Sequence, residues 1–164
     1  MNSYVPPVQS ARVASLHLHP VEPGAPLQTL DAVEVVAGKG VLNDSRYFGR
    51  PGKDNGQPSR RQVSLIEREQ IAEHAAKLGL PSIVPGAVRA NIEMLGVSLV
   101  ALVGKSIQIG DAVLFLYEPR KPCAKMDAIC QGLRSLMMDN QQGVMAEVVK
   151  PGRIRVGDRV SVLL

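Results

Sequence analysis

The sequence of 164 residues predicts a mainly β protein, an antiparallel barrel or sandwich with about two inserted helices. Short segments of alternating apolar and polar residues recur along the chain, and glycines or prolines separate them about every ten residues. Only two segments show the spacing of apolar residues that an amphipathic helix requires. Predicted strands therefore outnumber predicted helices by about seven to two.

The composition is that of a folded protein with its own core. Apolar residues make up 45% of the chain and charged residues 21%. At this length about two thirds of the unfolded surface can be buried, so neither a disulfide nor a structural metal is required. We expect a single domain over residues 1–164, with its core over 11–164. The 15 glycines and 12 prolines indicate many turns.

Two strands are predicted near the start of the chain. Residues 12–19 alternate as a half-buried strand does, and residues 31–37 form a second strand. The three prolines and the glycine of residues 20–28 predict a loop between them. A longer polar loop follows Gly38-Lys39-Gly40 and runs to about residue 60. Because such long loops often carry function, this one is a candidate binding element.

The three histidines have no obvious catalytic arrangement. His17 and His19 share the polar face of the first strand, where two imidazoles could ligate a metal. No third ligand stands nearby in the sequence, so we favour a solvated or hydrogen-bonded pair. His74 lies off the apolar stripe of the first predicted helix and is expected to face solvent.

The middle of the chain is predicted to contain a strand over residues 62–66 and a helix over 67–78, which ends at a glycine and a proline. Two short strands are expected around residues 88–92 and near Leu99. A hairpin over residues 106–117 follows, because a Gly-Asp pair at its centre supplies a turn residue with positive φ.

A second segment resembles this hairpin. The pattern Ile-x-Ile/Val-Gly-Asp-x-Val occurs at residues 107–113 and again at 154–160, which predicts a similar hairpin over 153–163. Between the two we expect an amphipathic helix from just after Cys123 to about Met138 and a strand over 144–149.

Cys123 is the main candidate for chemistry. It follows a proline at the predicted start of a helix, and three basic residues stand close to it in the sequence, Arg120, Lys121 and Lys125. Helix amides and basic side chains both favour the thiolate, which could serve as a nucleophile, a persulfide carrier or a soft metal ligand. The alternative is a small apolar side chain buried in a loop.

Cys130 is interpreted differently. It lies on the same predicted helical stripe as Met126 and Leu133, so core packing is expected. The two cysteines do not form a C-x-x-C pair, and the chain starts with no apolar signal-peptide region. We therefore expect free thiols and a cytoplasmic location.

The formal net charge of +4 favours anionic partners. The basic residues of the long loop and beyond could form an anion pocket or a solvated surface: Arg46, Arg50, Lys53, Arg60, Arg61 and Arg89. No segment has the length of apolar sequence that a membrane span needs. With three tyrosines, two phenylalanines and no tryptophan, the chain has few stacking platforms, and we expect no nucleic-acid partner.

Six short segments occur in a familiar order around Cys123. They are Gly40–Arg46, Arg61–Ile66, Pro85–Ile92, Ile109–Asp111, Arg120–Cys123 and Gly152–Asp158. In these segments the sequence resembles the MOSC domain, the C-terminal domain of molybdenum cofactor sulfurases, in its stand-alone form. The resemblance extends from about residue 11 to the end.

The resemblance implies a mixed or antiparallel β-barrel-like fold with a few helices. It also implies that Cys123 corresponds to the family's cysteine, which carries persulfide sulfur from a pyridoxal-phosphate-dependent cysteine desulfurase or ligates the molybdenum of a pterin cofactor. The family's loop arginine falls on Arg46 beside Asp44, and its R-x-N element on Arg89 and Asn91, which are expected to line the pocket and hold the phosphate. The cofactor-binding residues predicted on this basis are Asp44, Arg46, Arg61, Arg89, Asn91 and Lys121.

Two positions depart from the family pattern. Asn43 stands where a glycine is usual, and Ala90 stands where a glutamate is usual. The second change removes a carboxylate from the site.

Three functional hypotheses follow. The leading one is a protein whose Cys123 carries sulfur or ligates molybdenum, with an anionic cofactor held by arginines. A second is a molybdenum-cofactor-dependent reductase component for N-hydroxylated compounds, fed by a partner flavin or iron–sulfur protein. The third, from another class, is a non-catalytic basic barrel that binds nucleotides or nucleic acid.

Overall fold

The computed structural model describes residues 11–53 and 56–163, and strands dominate it. The strands are β1 (Arg12–Leu18), β2 (Gln28–Leu30), β3 (Ala32–Val36), β4 (Gly40–Val41), β5 (Val63–Glu67), β6 (Ile92–Leu95), β7 (Ser106–Ile109), β8 (Ala112–Pro119), β9 (Val144–Lys150), β10 (Gly152–Arg155) and β11 (Val160–Val162). The helices are α1 (Arg68–Lys77), α2 (Lys125–Ile129) and α3 (Leu133–Leu136). The predicted mainly β class is confirmed. Within the described residues, no helix is long and apolar enough to cross a membrane.

The strands form two sheets. The larger has the order β11-β7-β8-β9-β5-β6-β1-β2, and the smaller has the order β10-β3-β4. Neighbouring strands are antiparallel except β5 and β6, which are parallel and are connected through α1. The topology is therefore mixed, because a parallel neighbour needs a crossover connection and α1 provides it.

The larger sheet curls but does not close into a barrel. Three backbone hydrogen bonds connect the start of β1 with the segment that leads into β11. The Val13 amide donates to Asp158 O at 2.9 Å, Gly157 N donates to Val13 O at 2.8 Å, and Val160 N donates to Ala11 O at 2.8 Å. These bonds pair backbone groups that the edge of an open sheet would otherwise leave free.

Two clusters of buried apolar side chains form the core. The larger one joins both sheets, with side chains such as Leu16, Val35 and Leu114. The smaller one packs the helices against one side of the larger sheet, and its members are Ile66, Ile71, Val88, Ala90, Met126, Leu133 and Met137. This second cluster holds the segment before β6 and the segment after Cys123 against the same surface.

The prediction of strands around residues 88–92 and near Leu99 is wrong. The strand in this region is β6, and the residues before it form turns in which Arg89 has a φ of 65°. Leu99 precedes a short 3₁₀-helix over Val100–Leu102. A left-handed backbone conformation interrupts the pleat, so the apolar residues before β6 pack without forming a strand.

The first predicted hairpin is confirmed, but the second is wrong. β7 pairs with β8 across the Gly-Asp turn. By contrast, β10 pairs with β3 and β11 pairs with β7. The reason is the start of β1, whose hydrogen bonds occupy the segment between β10 and β11.

The helix predicted from Cys123 to about Met138 is divided in two. Cys130 is extended, with φ −159° and ψ 130°, and Gly132 has a φ of 94°. The carboxylate of Asp127 accepts hydrogen bonds from Gly132 N and Arg134 N, which caps the second piece. Cys130 is half-buried and packs against the smaller core cluster.

Both faces of β1 are buried, so the prediction of a half-buried strand is wrong. His17 and His19 are buried and hydrogen-bonded, as one of the two interpretations expected. His74 is also buried, against the prediction, because its Nε2 lies 2.7 Å from Gln141 O on the segment before β9.

Gly143 provides a test of the packing beside β5. Its φ is 73°, and a Cβ there would overlap Leu65 O and lie 2.8 Å from the Ile66 Cα. Gly79 has a φ of 71° and no atom within 4 Å of its Cβ position. We expect Gly143→Ala to lower the free energy of unfolding by about 3 kcal/mol or more, and Gly79→Ala by about 1 kcal/mol, since only the first adds a clash to the strain. Urea unfolding measures both losses, and equal losses would contradict this packing.

Candidate functional site

A pocket at one end of the larger sheet contains Cys123. We call it the thiol pocket. Its lining residues are His19, Arg46, Tyr47, Arg61, Arg89, Arg120, Lys121, Cys123, Lys125, Met126 and Gln142. They come from loops, strand ends and the start of α2, which are far apart in the sequence and are brought together by the fold. Six of these side chains are lysine or arginine.

The sequence-predicted residues fall into two layers. Arg46, Arg61, Arg89 and Lys121 line the pocket with Cys123. Asp44 and Asn91 do not line it, because they are buried behind its wall. The second layer therefore acts on the first through hydrogen bonds.

Asp44 is the centre of the buried layer. Its Oδ2 accepts hydrogen bonds from the backbone N of His19 at 2.9 Å, from His19 Nδ1 at 2.8 Å and from Asn91 Nδ2 at 2.8 Å. Its Oδ1 accepts from the backbone N of Arg46 at 3.1 Å and of Tyr47 at 2.9 Å. One carboxylate thus fixes the backbone of two pocket residues to the end of β1.

Asn91 extends this layer to β5. Its Oδ1 accepts hydrogen bonds from both the backbone N and the Oγ of Ser64, each at 3.1 Å. Its Nδ2 also donates to His17 O at 3.1 Å. Because all its side-chain groups are engaged inside the protein, Asn91 positions the wall and has no free group for a ligand.

His19 connects Asp44 with Arg89. The two ring nitrogens face acceptors, the Asp44 carboxylate and Arg89 O, the latter 3.0 Å from Nε2. Arg89 O also accepts from Arg120 Nη2 at 3.2 Å, and Arg89 Nη1 donates to Ala25 O at 2.9 Å. These bonds hold Arg89 in its left-handed conformation.

A second buried carboxylate supports the loop that carries Arg89. Glu93 accepts hydrogen bonds from Gly86 N at 2.6 Å and from Arg68 Nε at 3.2 Å. His17 Nε2 lies 3.6 Å from Glu93 Oε2. Burial lowers the pKa of His17 even though the charge of Glu93 opposes this shift. Glu93 therefore ties the loop before β6 to the start of α1 and lies beside β1.

Within the part of the chain that the structure describes, Arg120 and Gln142 are the buried side chains of the pocket that each have an atom without a hydrogen-bond partner. Arg120 is 9% exposed, and its Nη2 donates to Val88 O and Arg89 O while its Nη1 has no partner. Burial lowers the pKa of Arg120. Gln142 is 1% exposed, and its Oε1 has no partner. Buried polar groups normally form hydrogen bonds, so both atoms point to a ligand.

The source of positive charge near Cys123 differs from the prediction. The thiol is exposed, but α2 starts only at Lys125 and has five residues, so the long helix expected to stabilise a thiolate is absent from the described residues. The positive charge at the thiol comes from side chains instead. Cationic neighbours favour thiolate over thiol.

The basic residues singled out in the sequence do not all share this pocket. Arg50 lines an adjoining groove that also contains His19, Arg46, Arg89 and Lys125. Arg60 forms an ion pair with Glu147, and Lys53 lines neither cavity.

Sequence reasoning did not assign Gln142 or Tyr47 to the site. Tyr47 packs its ring against His19, with ring centroids 5.2 Å apart, and the Arg46 and Arg61 guanidinium groups lie 5.5 and 5.9 Å from its ring centre. Both residues reach the pocket through contacts distant in sequence. The glycine directly after Gln142, Gly143, is a local sequence feature that could have indicated an unusual backbone there.

A model of the MOSC domain matches residues 39–161. The chain belongs to the MOSC domain family. The resemblance found in the sequence is thereby confirmed. A relative, YuaD of Bacillus subtilis (strain 168), is 26% identical over 117 residues, which is 63% of this chain and 61% of YuaD, and it is named for metal-sulfur cluster biosynthesis. The alignment thus spans less than two thirds of that relative's length.

Solved structures show the same MOSC fold. The crystal structure of YuaD from Bacillus subtilis has a TM-score of 0.77 at 22% identity, with 93% of this chain and 95% of that chain covered. YiiM from Escherichia coli has a TM-score of 0.67 at 16% identity, with coverage of 93% and 70%. YiiM from Geobacillus stearothermophilus has a TM-score of 0.64 at 18% identity, with coverage of 94% and 75%. At these identities the similarity establishes the fold.

The buried layer of this MOSC domain predicts an acid-sensitive fold. Burial alone would raise the pKa of Asp44, but hydrogen bonds from His19 and Tyr47 outweigh it, and the pKa lies below its ordinary value. As the pH falls, the Asp44 carboxylate is therefore protonated at a higher pH in the unfolded chain than in the folded protein. The stability that Asp44 contributes is present above the ordinary carboxyl pKa and is lost as the pH falls through the lowered one.

We expect Asp44→Asn to lower the free energy of unfolding by about 1–3 kcal/mol at pH 7, because an amide nitrogen would face N–H donors. The difference from wild type should shrink as the pH falls from about 5 towards 3. Urea unfolding at several pH values measures it. Asp31→Asn, on the exposed surface, serves as the control. A difference that stays constant with pH would contradict a lowered pKa at Asp44.

Proposed function

We propose that this MOSC domain binds an anionic, phosphate-bearing molybdenum–pterin cofactor in the thiol pocket, with Cys123 as the reactive sulfur. The observation that supports this most is the buried Arg120, which lines the pocket with the thiol and whose Nη1 has no hydrogen-bond partner among the described residues. A buried guanidinium with an unpaired donor favours a ligand that places an acceptor oxygen beside it and carries net negative charge.

The charge of the whole pocket supports the same ligand class. Within the described residues, six cationic side chains line the pocket and no carboxylate does. Their mutual repulsion is relieved when an anion binds. Arg46, Arg61, Lys121 and Lys125 are exposed and can reach a phosphate, while Arg89 is held in place from behind.

Cys123 fits the metal part of this cofactor as a single protein ligand. No group of three or more His, Cys, Asp or Glu side chains that could hold a metal ion occurs in residues 11–53 and 56–163. A thiolate is a soft ligand, which suits a sulfur-bound transition metal. The cofactor supplies the redox-active metal together with the remaining ligands. The protein's part is to bind the phosphate and to present one sulfur.

A second use of Cys123 is supported by its exposure. As a sulfur carrier, the Cys123 thiolate attacks the outer sulfur of a persulfide on a donor protein. A new S–S bond forms at Cys123 while the donor's S–S bond breaks, and the donor cysteine leaves as a thiolate. The donor is a cysteine desulfurase that holds its own pyridoxal phosphate. The name of YuaD, metal-sulfur cluster biosynthesis, is consistent with sulfur chemistry in this setting.

The two uses share one site in a single domain, and both suit a reducing cytoplasm, where a free thiol persists. They differ in what remains bound to Cys123 after purification.

We expect the protein purified from cells that make the cofactor to hold molybdenum and pterin, and Cys123→Ser to lose the molybdenum. Cys130→Ser is the matched control, because Cys130 lies outside the thiol pocket. Metal analysis and pterin fluorescence measure the two components. Retention of molybdenum by Cys123→Ser would contradict a role of this sulfur as ligand.

We expect the sulfur-carrier use to add a mass of about 32 Da to Cys123 after incubation with a desulfurase and cysteine, as a persulfide does. Mass spectrometry under non-reducing conditions detects it, and reduction should remove it. The adduct should be absent from Cys123→Ser and present in Cys130→Ser. An adduct on Cys130 alone would contradict the assignment.

We expect sulfate to bind the thiol pocket and Arg61→Gln to weaken its binding about tenfold, because one charged donor is removed. Arg60→Gln, at the neighbouring position, is the matched control. The Arg60 guanidinium pairs with Glu147 and lies over the ring of Tyr117, outside the pocket. Titration calorimetry at low ionic strength measures both. Equal effects of the two variants would indicate a general surface charge instead of a built anion site.

A further inference from the structure

We infer that Gln142 and Arg120 recognise the cyclic amide edge of the pterin ring, so that the floor of the thiol pocket selects the ring while the other cations hold the phosphate. This inference rests on the proposed function, since it concerns the same pocket. Gln142 is here a binding residue for the ring.

The backbone places Gln142 at the pocket with little freedom. Gly143 N donates to Gln70 Oε1 at 3.1 Å, and Gly143 O accepts from Arg120 N at 2.9 Å. Gly143 also lies directly against Leu65 of β5, where no side chain would fit. Residue 142 is therefore fixed between β5 and the end of β8, next to Arg120.

The two atoms without partners have opposite requirements. Arg120 Nη1 can only donate a hydrogen bond, and Gln142 Oε1 can only accept one. The other cations of the pocket are donors, yet none of them satisfies Gln142 Oε1. An oxyanion without protons satisfies Arg120 and leaves Gln142 Oε1 unpaired. A ligand that satisfies both carries an acceptor together with an N–H donor.

A cyclic amide has this arrangement, with its carbonyl oxygen next to its ring N–H. The pterin ring of the proposed cofactor contains such an amide, whereas a fully ionised phosphate offers acceptors only. The division of labour follows from the residue types. Charged donors at the rim suit the phosphate, and a neutral acceptor at the floor suits the ring.

Two probes separate ring recognition from anion binding. 6-Hydroxymethylpterin carries the cyclic amide without an anionic group, and sulfate carries charge without a proton to donate at neutral pH. We expect Gln142→Leu to weaken pterin binding at least about tenfold, because the N–H of the ring loses its acceptor, and to leave sulfate binding unchanged. Gln141→Leu, at the exposed neighbouring position, should change neither. Pterin fluorescence and calorimetry measure the two affinities.

Gln142→Glu is the rescue variant. It keeps an acceptor oxygen but adds negative charge, so pterin should bind more tightly than to Gln142→Leu while sulfate binds more weakly than to wild type. This opposite pair of shifts supports the inference, and a purely structural role of Gln142 does not produce it. Unchanged sulfate binding by Gln142→Leu also shows that the pocket is folded.

Three results would overturn the inference. If Gln142→Leu weakens sulfate and pterin equally, residue 142 only shapes the pocket. If wild type binds sulfate but not the pterin, ring recognition is wrong while the anion pocket of the proposed function stands. If wild type binds neither probe, both proposals fall.

Discussion

The carboxylate of Asp44 is the interaction on which the arrangement of the site depends. It receives five hydrogen bonds, two from His19 just after β1, two from backbone amides of its own loop and one from Asn91. A loop of this length gains order only if its backbone groups find fixed partners. Asp44 provides these partners at one point, which places Arg46 and Tyr47 on the pocket wall. The imidazole of His19 then transmits the same constraint to Arg89.

This arrangement separates the two tasks of a binding site. The buried layer contains the carboxylates and is satisfied within the protein, so it can be rigid without a ligand. The pocket wall contains the cations and the thiol, and its charge is left uncompensated. The repulsion among the cations is tolerated because most of their side chains remain in contact with water, with Arg120 as the exception. Arg120 is therefore the cation of the pocket that most requires a ligand.

Local patterns in the sequence predicted local structure well. Alternation located β1 and the β7–β8 hairpin, and helical spacing located α1. Strand pairing could not be predicted in this way, because it depends on contacts between residues far apart in sequence. Examples are the parallel pairing of β5 with β6 and the pairing of β10 and β11 with different strands. The same division applies to the site. Cys123 and Arg46 could be found from motifs, whereas Gln142 reaches the pocket only because Gly143 packs against β5.

The hydrogen bonds between Val13 and residues 157–158 determine how β1 connects the two ends of the sheet. β1 has seven residues and so extends about 23 Å from this junction towards His19. β1 thus joins the segment before β11, at one end, to His19 and the Asp44 carboxylate, at the other. The strand that positions the pocket wall is therefore itself positioned by backbone pairing at the opposite end of the sheet.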